Sequence, residues 1–82
     1  MALRVTRVRK GNHDDIVGMS GHGWTHDKTQ VLENIRNHLH EYYVSVHGED
    51  RPVHIGVRNA QDYLTTGPDG STPNDLDNLP HY

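Results

Sequence analysis

Two short segments decide the fold of this 82-residue chain: YYVSVH at residues 42–47 and VHIGVR at residues 53–58. Apolar and polar residues alternate in both segments, which is the two-residue period of a β-strand with one buried face. The connector between them, GEDRP at 48–52, is short and rich in turn-forming residues. We therefore predict that the two segments pair as an antiparallel hairpin.

The alternation also predicts the register of this hairpin. A shift of one residue would place apolar residues opposite polar ones throughout, so one register is favoured. The predicted cross-strand pairs are His47 with His54, Ser45 with Gly56, and Tyr43 with Arg58. The residues predicted to be buried are Tyr42, Val44, Val46, Val53, Ile55 and Val57.

A helix is predicted ahead of this hairpin. Asp27 followed three positions later by Gln30 is a capping-box pattern, in which each side chain bonds the backbone N–H of the other residue. Apolar residues then recur at helical spacing, and polar residues between them, such as Asn34, are assigned to the water-facing side. The predicted apolar stripe is Val31, Leu32, Ile35 and Leu39. We expect this stripe to cover one face of a sheet.

Shorter strand patterns flank these elements. Residues 3–8 predict a first strand whose alternation breaks near Thr6–Arg7, as at a bulge. Residues 16–19 predict a second strand that forms a hairpin with the first. Residues 63–66 predict a last strand, and the stretch 67–70 predicts a sharp chain reversal.

These elements together predict an α+β fold. Their order is β-β-α-β-β-β, which corresponds to a small antiparallel β-sheet with one helix packed on one face. We expect residues 1–73 to form a single α+β domain. Residues 74–82 are expected to be a C-terminal tail that is partly packed through Leu76 and Leu79.

Composition limits the classes of protein that the chain can represent. Only 32% of the residues are apolar and Phe is absent, so the core is small, and a homodimer would add buried surface. The absence of cysteine excludes disulfides, thiolate nucleophiles and Cys-type zinc sites, and favours a reducing compartment. No apolar run approaches the ~20 residues of a membrane span, and the N-terminus lacks the apolar stretch of a secretory signal. We expect a cytoplasmic protein that does not associate with membranes.

The closing segment, YLTTGPDGSTPNDLDNLP at residues 63–80, resembles the signature of a known family. A Tyr-Leu-x-Thr start, an Asp-Gly turn and a Leu-Pro end are similar to those of an uncharacterised family of bacterial proteins, domain of unknown function 3892 (DUF3892). Further agreement comes from Ile16-Val17-Gly18, from Trp24 ahead of the helix and from Tyr43-Val44 after it.

The chain departs from that family at two places. Asn74-Asp75-Leu76 stands where paired asparagines often precede the leucine, and His81-Tyr82 stands where a cysteine is common. The resemblance implies a small fold of this size and a bacterial or phage setting. Because no function is assigned to the family, the resemblance carries over no catalytic residue.

Eight histidines are unusual in a chain of 82 residues, because neutral imidazole is a frequent metal ligand. None of them follows a zinc-binding spacing such as His-Glu-x-x-His. If a divalent metal were bound, His47 and His54 are the best candidates, with Asp50 or Glu49 as a third ligand. Otherwise we predict no metal site and no cofactor, with the histidines scattered over the surface.

The basic residues are concentrated at the N-terminus. Arg4, Arg7, Arg9 and Lys10 are half of the eight, and residues 60–82 contain four aspartates and no Lys or Arg. A basic strand of this kind is one signature of a phosphate-binding surface. The net charge of −3 argues against a dedicated nucleic-acid binder, so we favour a basic strand that lies near the acidic tail, within the fold or across a dimer.

Sequence motifs for catalysis are missing, since no serine lies in a nucleophile elbow and no glycine-rich loop has phosphate-binding spacing. We therefore predict a non-catalytic binding module with an unknown protein partner. Its predicted surface is the outer face of the hairpin, where tyrosine and arginine are typical of contact hot spots. The residues of this face are Tyr43, Ser45, His47, His54 and Arg58. One alternative is a nucleic-acid-associated factor that uses Arg4, Arg7 and Arg9, and another is a histidine-based divalent-metal binder.

Overall fold

A computed structural model describes residues 2–12, 15–67 and 75–82 of the chain. These residues contain eight β-strands, one α-helix and a 3₁₀ helix at Asp75–Asn78. In chain order they are β1 (Ala2–Arg4), β2 (Arg7–Lys10), β3 (Ile16–Gly21), β4 (Trp24–Asp27), α1 (Lys28–Arg36), β5 (Glu41–Val46), β6 (Glu49–Pro52), β7 (His54–Arg58) and β8 (Gln61–Thr65).

The described strands form three sheets, with strand orders β1-β5-β6, β2-β3-β4 and β7-β8. β1 runs parallel to β5, and the other strand pairs of these sheets are antiparallel. The helix α1 contacts β3, β4, β5 and β7 and so packs on all three sheets. The predicted α+β class, with mostly antiparallel sheets and one helix, is confirmed. The finer predicted order omits β4 and β6 and treats β1 and β2 as one strand.

The predicted pairing of residues 42–47 with residues 53–58 is wrong. β5 pairs with β6, where Val44 lies opposite Arg51, and β7 pairs with β8, where Ile55 lies opposite Leu64. Each strand therefore pairs with the segment that directly follows it. The two segments that decide the fold belong to different sheets.

Two tight turns explain this change of partner. The chain reverses after β5 through His47 and Gly48, whose φ angles are +50° and +82°, and after β7 through Asn59 and Ala60, whose φ angles are +53° and +62°. A two-residue turn with positive φ at both positions matches the twist of the strands that it joins. The chain after β5 has therefore already reversed at Gly48, and most of the predicted connector, 48–52, belongs to the next strand.

The predicted cross-strand pairs are replaced accordingly, and His47 lies in a turn rather than opposite His54. The observed pairs are Tyr43 with Pro52, Ser45 with Asp50, His54 with Thr65, Gly56 with Tyr63, and Arg58 with Gln61. None of the polar pairs expected between β5 and β7 forms.

The core lies between α1 and the inner faces of the sheets. Its buried apolar residues are Val5, Val8, Ile16, Met19, Val31, Tyr42, Val44, Val53, Leu64 and Leu76. Val46 and Ile55 are partly buried against them, but Val57, which was predicted to be buried, is 68% exposed. Val57 lies beside the turn of the two-stranded sheet, opposite Asp62 on β8.

The helix is shorter than its apolar stripe suggests. It ends at Arg36, and His38 has a φ angle of +56°, which breaks the helical spacing. Leu39, predicted to complete the stripe, is therefore outside the helix and 60% exposed. Val31 is buried, and Leu32 and Ile35 pack against the core as predicted.

One run of chain links two of the sheets. After β1, the Val5 N–H donates to the Tyr43 carbonyl at 2.8 Å, and the Thr6 N–H donates to the Ser20 carbonyl at 2.9 Å. The predicted break near Thr6–Arg7 is thus the point where the chain leaves one sheet and joins the next. The register shift of the β2–β3 hairpin lies further along, between Arg9 and Lys10.

The segment 75–82 packs on the rest of the fold. Leu76, on the 3₁₀ helix, is completely buried, and Leu79 is partly buried against the core. His81 forms a β-bridge with Val8, and the Lys10 ammonium lies 3.1 Å from the Asp77 carboxylate. The predicted domain boundary at 73/74 and most of the predicted reversal at 67–70 lie outside the described residues.

The capping box at the start of α1 is confirmed. The Gln30 N–H donates to Asp27 Oδ1 at 2.8 Å, and the Asp27 N–H donates to Gln30 Oε1 at 2.9 Å. We expect Asp27→Ala to lower the free energy of unfolding by about 0.5–2 kcal/mol, because the Gln30 N–H at the helix terminus loses the carboxylate oxygen to which it donates. Asp27→Asn is the matched control, since asparagine is an equally good N-cap residue. Urea denaturation of both variants checks this, and an equal loss in both would contradict the capping explanation.

Candidate functional site

The structure disperses the face that was predicted to bind a partner. Tyr43 and Ser45 lie on β5, His47 lies in the turn that follows, and His54 and Arg58 lie on β7 in a different sheet. The five residues therefore do not form one hairpin face. Two of them, Tyr43 and His54, meet again at a pocket.

Arg58 has a different aromatic neighbour from the predicted one. Its guanidinium lies 4.9 Å from the centre of the Tyr63 ring, in place of Tyr43. The same ring covers Gly56, where an added Cβ would lie 2.5 Å from Tyr63 Cζ. The missing side chain at Gly56 thus leaves the space into which the opposite tyrosine packs.

The pocket has a volume of about 360 Å³. It is enclosed by the end of α1, the loop that leads into β5, the start of β1 and the junction between β6 and β7. Its lining residues are Ala2, Ile35, His38, His40, Glu41, Tyr42, Tyr43, Pro52, Val53 and His54. Apolar and aromatic surface is therefore combined with three imidazoles and one carboxylate, which is the mixture typical of ligand pockets.

His40 contributes a buried polar atom to the lining of this pocket. Its Nδ1 is buried and has no hydrogen-bond partner among the described residues. A buried polar atom without a partner is rare in folded proteins, because burial removes water without replacing it. His40 is therefore a polar residue of the pocket lining whose Nδ1 the fold leaves unpaired.

The end of α1 places the histidines of the pocket. His38, in the left-handed conformation, turns the chain, and the Leu39 and His40 N–H groups both donate to the Asn34 carbonyl, at 2.9 and 3.5 Å. This compact ending directs His38 and His40 to the pocket wall and leaves Leu39, between them, on the surface. We call residues 38–40 the pocket rim.

Tyr42 joins the pocket to a polar and aromatic cluster in the interior. Its ring is almost completely buried, and its hydroxyl oxygen accepts a hydrogen bond from Asn34 Nδ2 at 2.8 Å. The hydroxyl lies 2.8 Å from His26 Nδ1 and can donate its proton there, with the His26 proton on Nε2. Burial raises the pKa of the Tyr42 hydroxyl, and the hydrogen bond from Asn34 opposes part of that rise.

Ring contacts extend this cluster on both sides of Tyr42. The Trp24 ring lies 5.0 Å from His26 and 5.5 Å from Tyr42, measured between ring centres. The His26 ring lies 6.1 Å from His40, which lines the pocket. The back of the pocket is therefore an ordered set of rings rather than loosely packed side chains.

The assignment of Asn34 to the water-facing side is wrong, because its side chain bonds Tyr42 inside the fold. A sequence signal for this position exists. Asn34 is three residues after Val31, so the two share one face of the helix. The pocket itself has no such signal, because it depends on how four separate segments meet.

The predicted metal pair is not formed as expected. His47 lies in the β5–β6 turn and His54 begins β7 opposite Thr65, so the two are not cross-strand neighbours. Within the described ranges, no group of three or more His, Asp or Glu side chains is arranged to hold a metal ion.

The basic residues differ in their partners, and Arg58 lies over the Tyr63 ring as described above. Four of the eight lie within ion-pair distance of carboxylates: Lys10 with Asp77, Lys28 with Asp15, Arg36 with Asp62, and Arg51 with Glu49 and Asp75. Arg4, Arg7 and Arg9 are exposed and have no carboxylate partner in the part of the chain that the structure describes. Of the basic strand, only Lys10 meets the acidic segment as predicted.

The fold is that of a small α+β domain with mostly antiparallel sheets and one helix. No helix among the described residues is long and apolar enough to cross a membrane. A family model described as Protein of unknown function (DUF3892) matches residues 4–80. The chain belongs to this family, which confirms the resemblance of its closing segment. No curated protein and no solved structure matches the chain.

Proposed function

We propose that the chain is a non-catalytic protein-binding module. Its binding site is the pocket together with the pocket rim, and the partner inserts one side chain into the pocket while covering Leu39. The observation that carries this proposal is the position of an exposed leucine between two histidines that line a pocket of about 360 Å³. An anchor pocket beside exposed apolar surface is typical of protein interfaces.

The pocket chemistry supports an anchor with both apolar and polar parts. Ile35, Pro52 and Val53 offer apolar contact, and the Tyr43 ring is of the type enriched at contact hot spots. The imidazoles of His38, His40 and His54 add polar groups to the same lining. We therefore expect the anchor to be an aromatic or aliphatic side chain accompanied by a hydrogen-bonding group. A tyrosine would bring its own hydroxyl, and a methionine would be accompanied by its backbone amide.

A protein partner fits better than a free small molecule because of Leu39. This side chain is 60% exposed and lies outside the pocket wall, so a ligand confined to the pocket would leave it in water. Only a larger partner covers both surfaces at once. Binding rather than catalysis is favoured because the Tyr42 hydroxyl is already engaged by Asn34 and His26.

The proposal can be tested with peptides selected against the intact chain from a displayed random library. Leu39→Asp is expected to weaken the selected peptides by at least about 30-fold, which corresponds to a hot-spot loss of about 2 kcal/mol. Tyr43→Ala is expected to weaken them by about tenfold, near the 1 kcal/mol threshold for interface residues. Isothermal calorimetry measures both, and amide chemical-shift changes should centre on residues 38–43 and 53–54.

Val57→Asp is the matched control for Leu39→Asp. Val57 is equally apolar and 68% exposed, but it lies on β7 outside the pocket lining. The control should bind like the unaltered chain. Peptides that map to another surface, or an equal loss of affinity in the control, would refute the pocket as the binding site.

A further inference from the structure

The exposed arginines of β1 and β2 form a surface that the proposed function does not use. Arg4, Arg7 and Arg9, here called the arginine strip, are exposed, whereas Val5 and Val8 between them are 1% and 0% exposed. Adjacent Arg7 and Arg9 lie on one face of β2, about 6.6 Å apart along the strand. The strip is therefore a row of cations turned away from the core.

No carboxylate among residues 2–12, 15–67 and 75–82 forms an ion pair with this row. The other basic residues on the sheets and the helix, except Arg58, take their ion pairs with Asp15, Asp62, Asp77, Glu49 and Asp75. Residues 1–13 contain no acidic residue at all. The net charge of −3 is thus carried elsewhere, and the local charge of the strip remains positive.

Two hydroxyl side chains lie beside Arg7 on the β2-β3-β4 sheet. Arg7 is opposite Ser20 on β3, and Ser20 is opposite Thr25 on β4. The Thr25 hydroxyl donates to Ser20 Oγ at 3.5 Å, and the Ser20 hydroxyl donates to the Trp24 carbonyl at 3.3 Å. Because both hydroxyl protons are used within the fold, the arginines are the phosphate donors of this surface.

An aromatic ring completes the surface. Arg9 is opposite Gly18, and a Cβ added at Gly18 would lie 2.5 Å from the Tyr82 hydroxyl oxygen and 3.5 Å from Arg9 Cβ. Tyr82 therefore lies on the outer face of the sheet next to Arg9, and it remains 42% exposed. Its backbone N–H donates to the Val8 carbonyl at 3.1 Å, which holds the Tyr82 backbone beside β2.

We propose that the arginine strip binds the phosphate backbone of single-stranded nucleic acid while a base stacks on Tyr82. Arginines that track the backbone next to an aromatic platform on a sheet are the combination used for single strands. Asp27, at the far side of Gly18, limits the positive surface to the β2 side of the sheet. The surface is small, so binding is expected to be weak and not sequence-specific.

Fluorescence anisotropy with a labelled oligothymidylate of about 20 nucleotides tests this, since that length exceeds the ~4–16 nucleotides that one such domain covers. The slope of log K against log salt concentration should be about −2, from three phosphate contacts on a single strand. The triple variant Arg4→Gln, Arg7→Gln, Arg9→Gln should lose this salt dependence and most of the binding. The corresponding triple substitution to lysine should retain both.

The control for net charge is the triple variant Arg36→Gln, Arg51→Gln, Arg58→Gln, which removes the same number of cations from other surfaces. It should bind like the unaltered chain, and circular dichroism should show that all variants are folded. Tyr82→Ala should weaken binding by about 5- to 150-fold, the range of one base–aromatic stack.

Several results would overturn the proposal. No anisotropy change at low salt, or an equal loss in the control variant, would show that the strip is not a nucleic-acid site. Equal binding of duplex or heparin together with no effect of Tyr82→Ala would show a general polyanion surface, and the assignment to single strands would be wrong. None of these results bears on the pocket, which is tested separately with peptides.

Discussion

Replacing Leu76 by alanine is expected to lower the free energy of unfolding by about 2–5 kcal/mol, the usual cost of truncating a buried leucine. Leu76 is completely buried, and it brings the 3₁₀ helix at Asp75–Asn78 into the core. A domain of this size has a total stability on the order of 4–12 kcal/mol. The substitution should therefore remove a large part of it.

Urea denaturation measures this change, and Leu39→Ala is the matched control. Leu39 is the same residue type but 60% exposed, so its truncation should change the free energy of unfolding by no more than about 0.5 kcal/mol. A Leu76→Ala variant as stable as the control would show that the segment 75–82 does not contribute to the core.

Tyr42→Phe is expected to lower the free energy of unfolding by about 1–3 kcal/mol. The ring stays in place, but Asn34 Nδ2 and His26 Nδ1 both lose the hydroxyl that lies 2.8 Å from each of them. Two polar groups in the interior then lack their partner, which costs more than the hydrogen bonds themselves contribute. Urea denaturation at neutral pH measures this loss of stability.

A double-mutant cycle with Asn34→Ala separates the hydrogen bond from the loss of packing. The two substitutions should be less costly together than the sum of their single effects, because they remove the same interaction. Strict additivity would show that the Asn34–Tyr42 bond does not contribute to stability.

The stability difference between the unaltered chain and Tyr42→Phe is expected to depend on pH in one direction. Burial raises the pKa of Tyr42 above its usual 10.0, so the folded chain holds the phenolic proton at a pH where the unfolded chain has released it. This contribution to stability is complete below pH 10 and is lost as the pH rises through the folded pKa. The difference in stability between the unaltered chain and Tyr42→Phe should therefore narrow above about pH 10, and a difference that widens there would contradict the assignment.

Local patterns predicted much of this fold because they depend on few residues. The capping box needs only Asp27 and Gln30, and the β2–β3 hairpin needs only two alternating segments joined by a short turn. The family signature at residues 63–80 was equally direct, since it is read from the order of residues alone.

The partner of each strand could not be predicted in the same way. Alternation shows which face of a strand is buried but not which strand lies beside it. In this chain the choice depends on Ala60 and His47, which adopt positive φ although neither residue type is a strong signal for it. The longer connector 48–52, with its proline, is a reasonable loop by composition and yet forms a strand.

The candidate site was predicted only in part for the same reason. Tyr43 and His54 were chosen for a hairpin face that does not exist, and they line the pocket because β5 and the β6–β7 junction meet there. His38 and His40 belong to the pocket because the helix ends early at Arg36. The arginine strip, in contrast, is visible in the sequence, but only the structure shows which arginines lack a carboxylate partner.

The continuous run of residues 2–10 has a consequence for how the molecule comes apart. Its first part, β1, is the border strand next to β5, and its second part, β2, is the border strand next to β3, so one continuous segment closes an edge of both sheets. Unfolding of one sheet would release one half of this segment and so weaken the hydrogen bonds that its other half makes with the second sheet. We therefore expect the two sheets to unfold and refold as a single cooperative unit, because they share this segment of backbone.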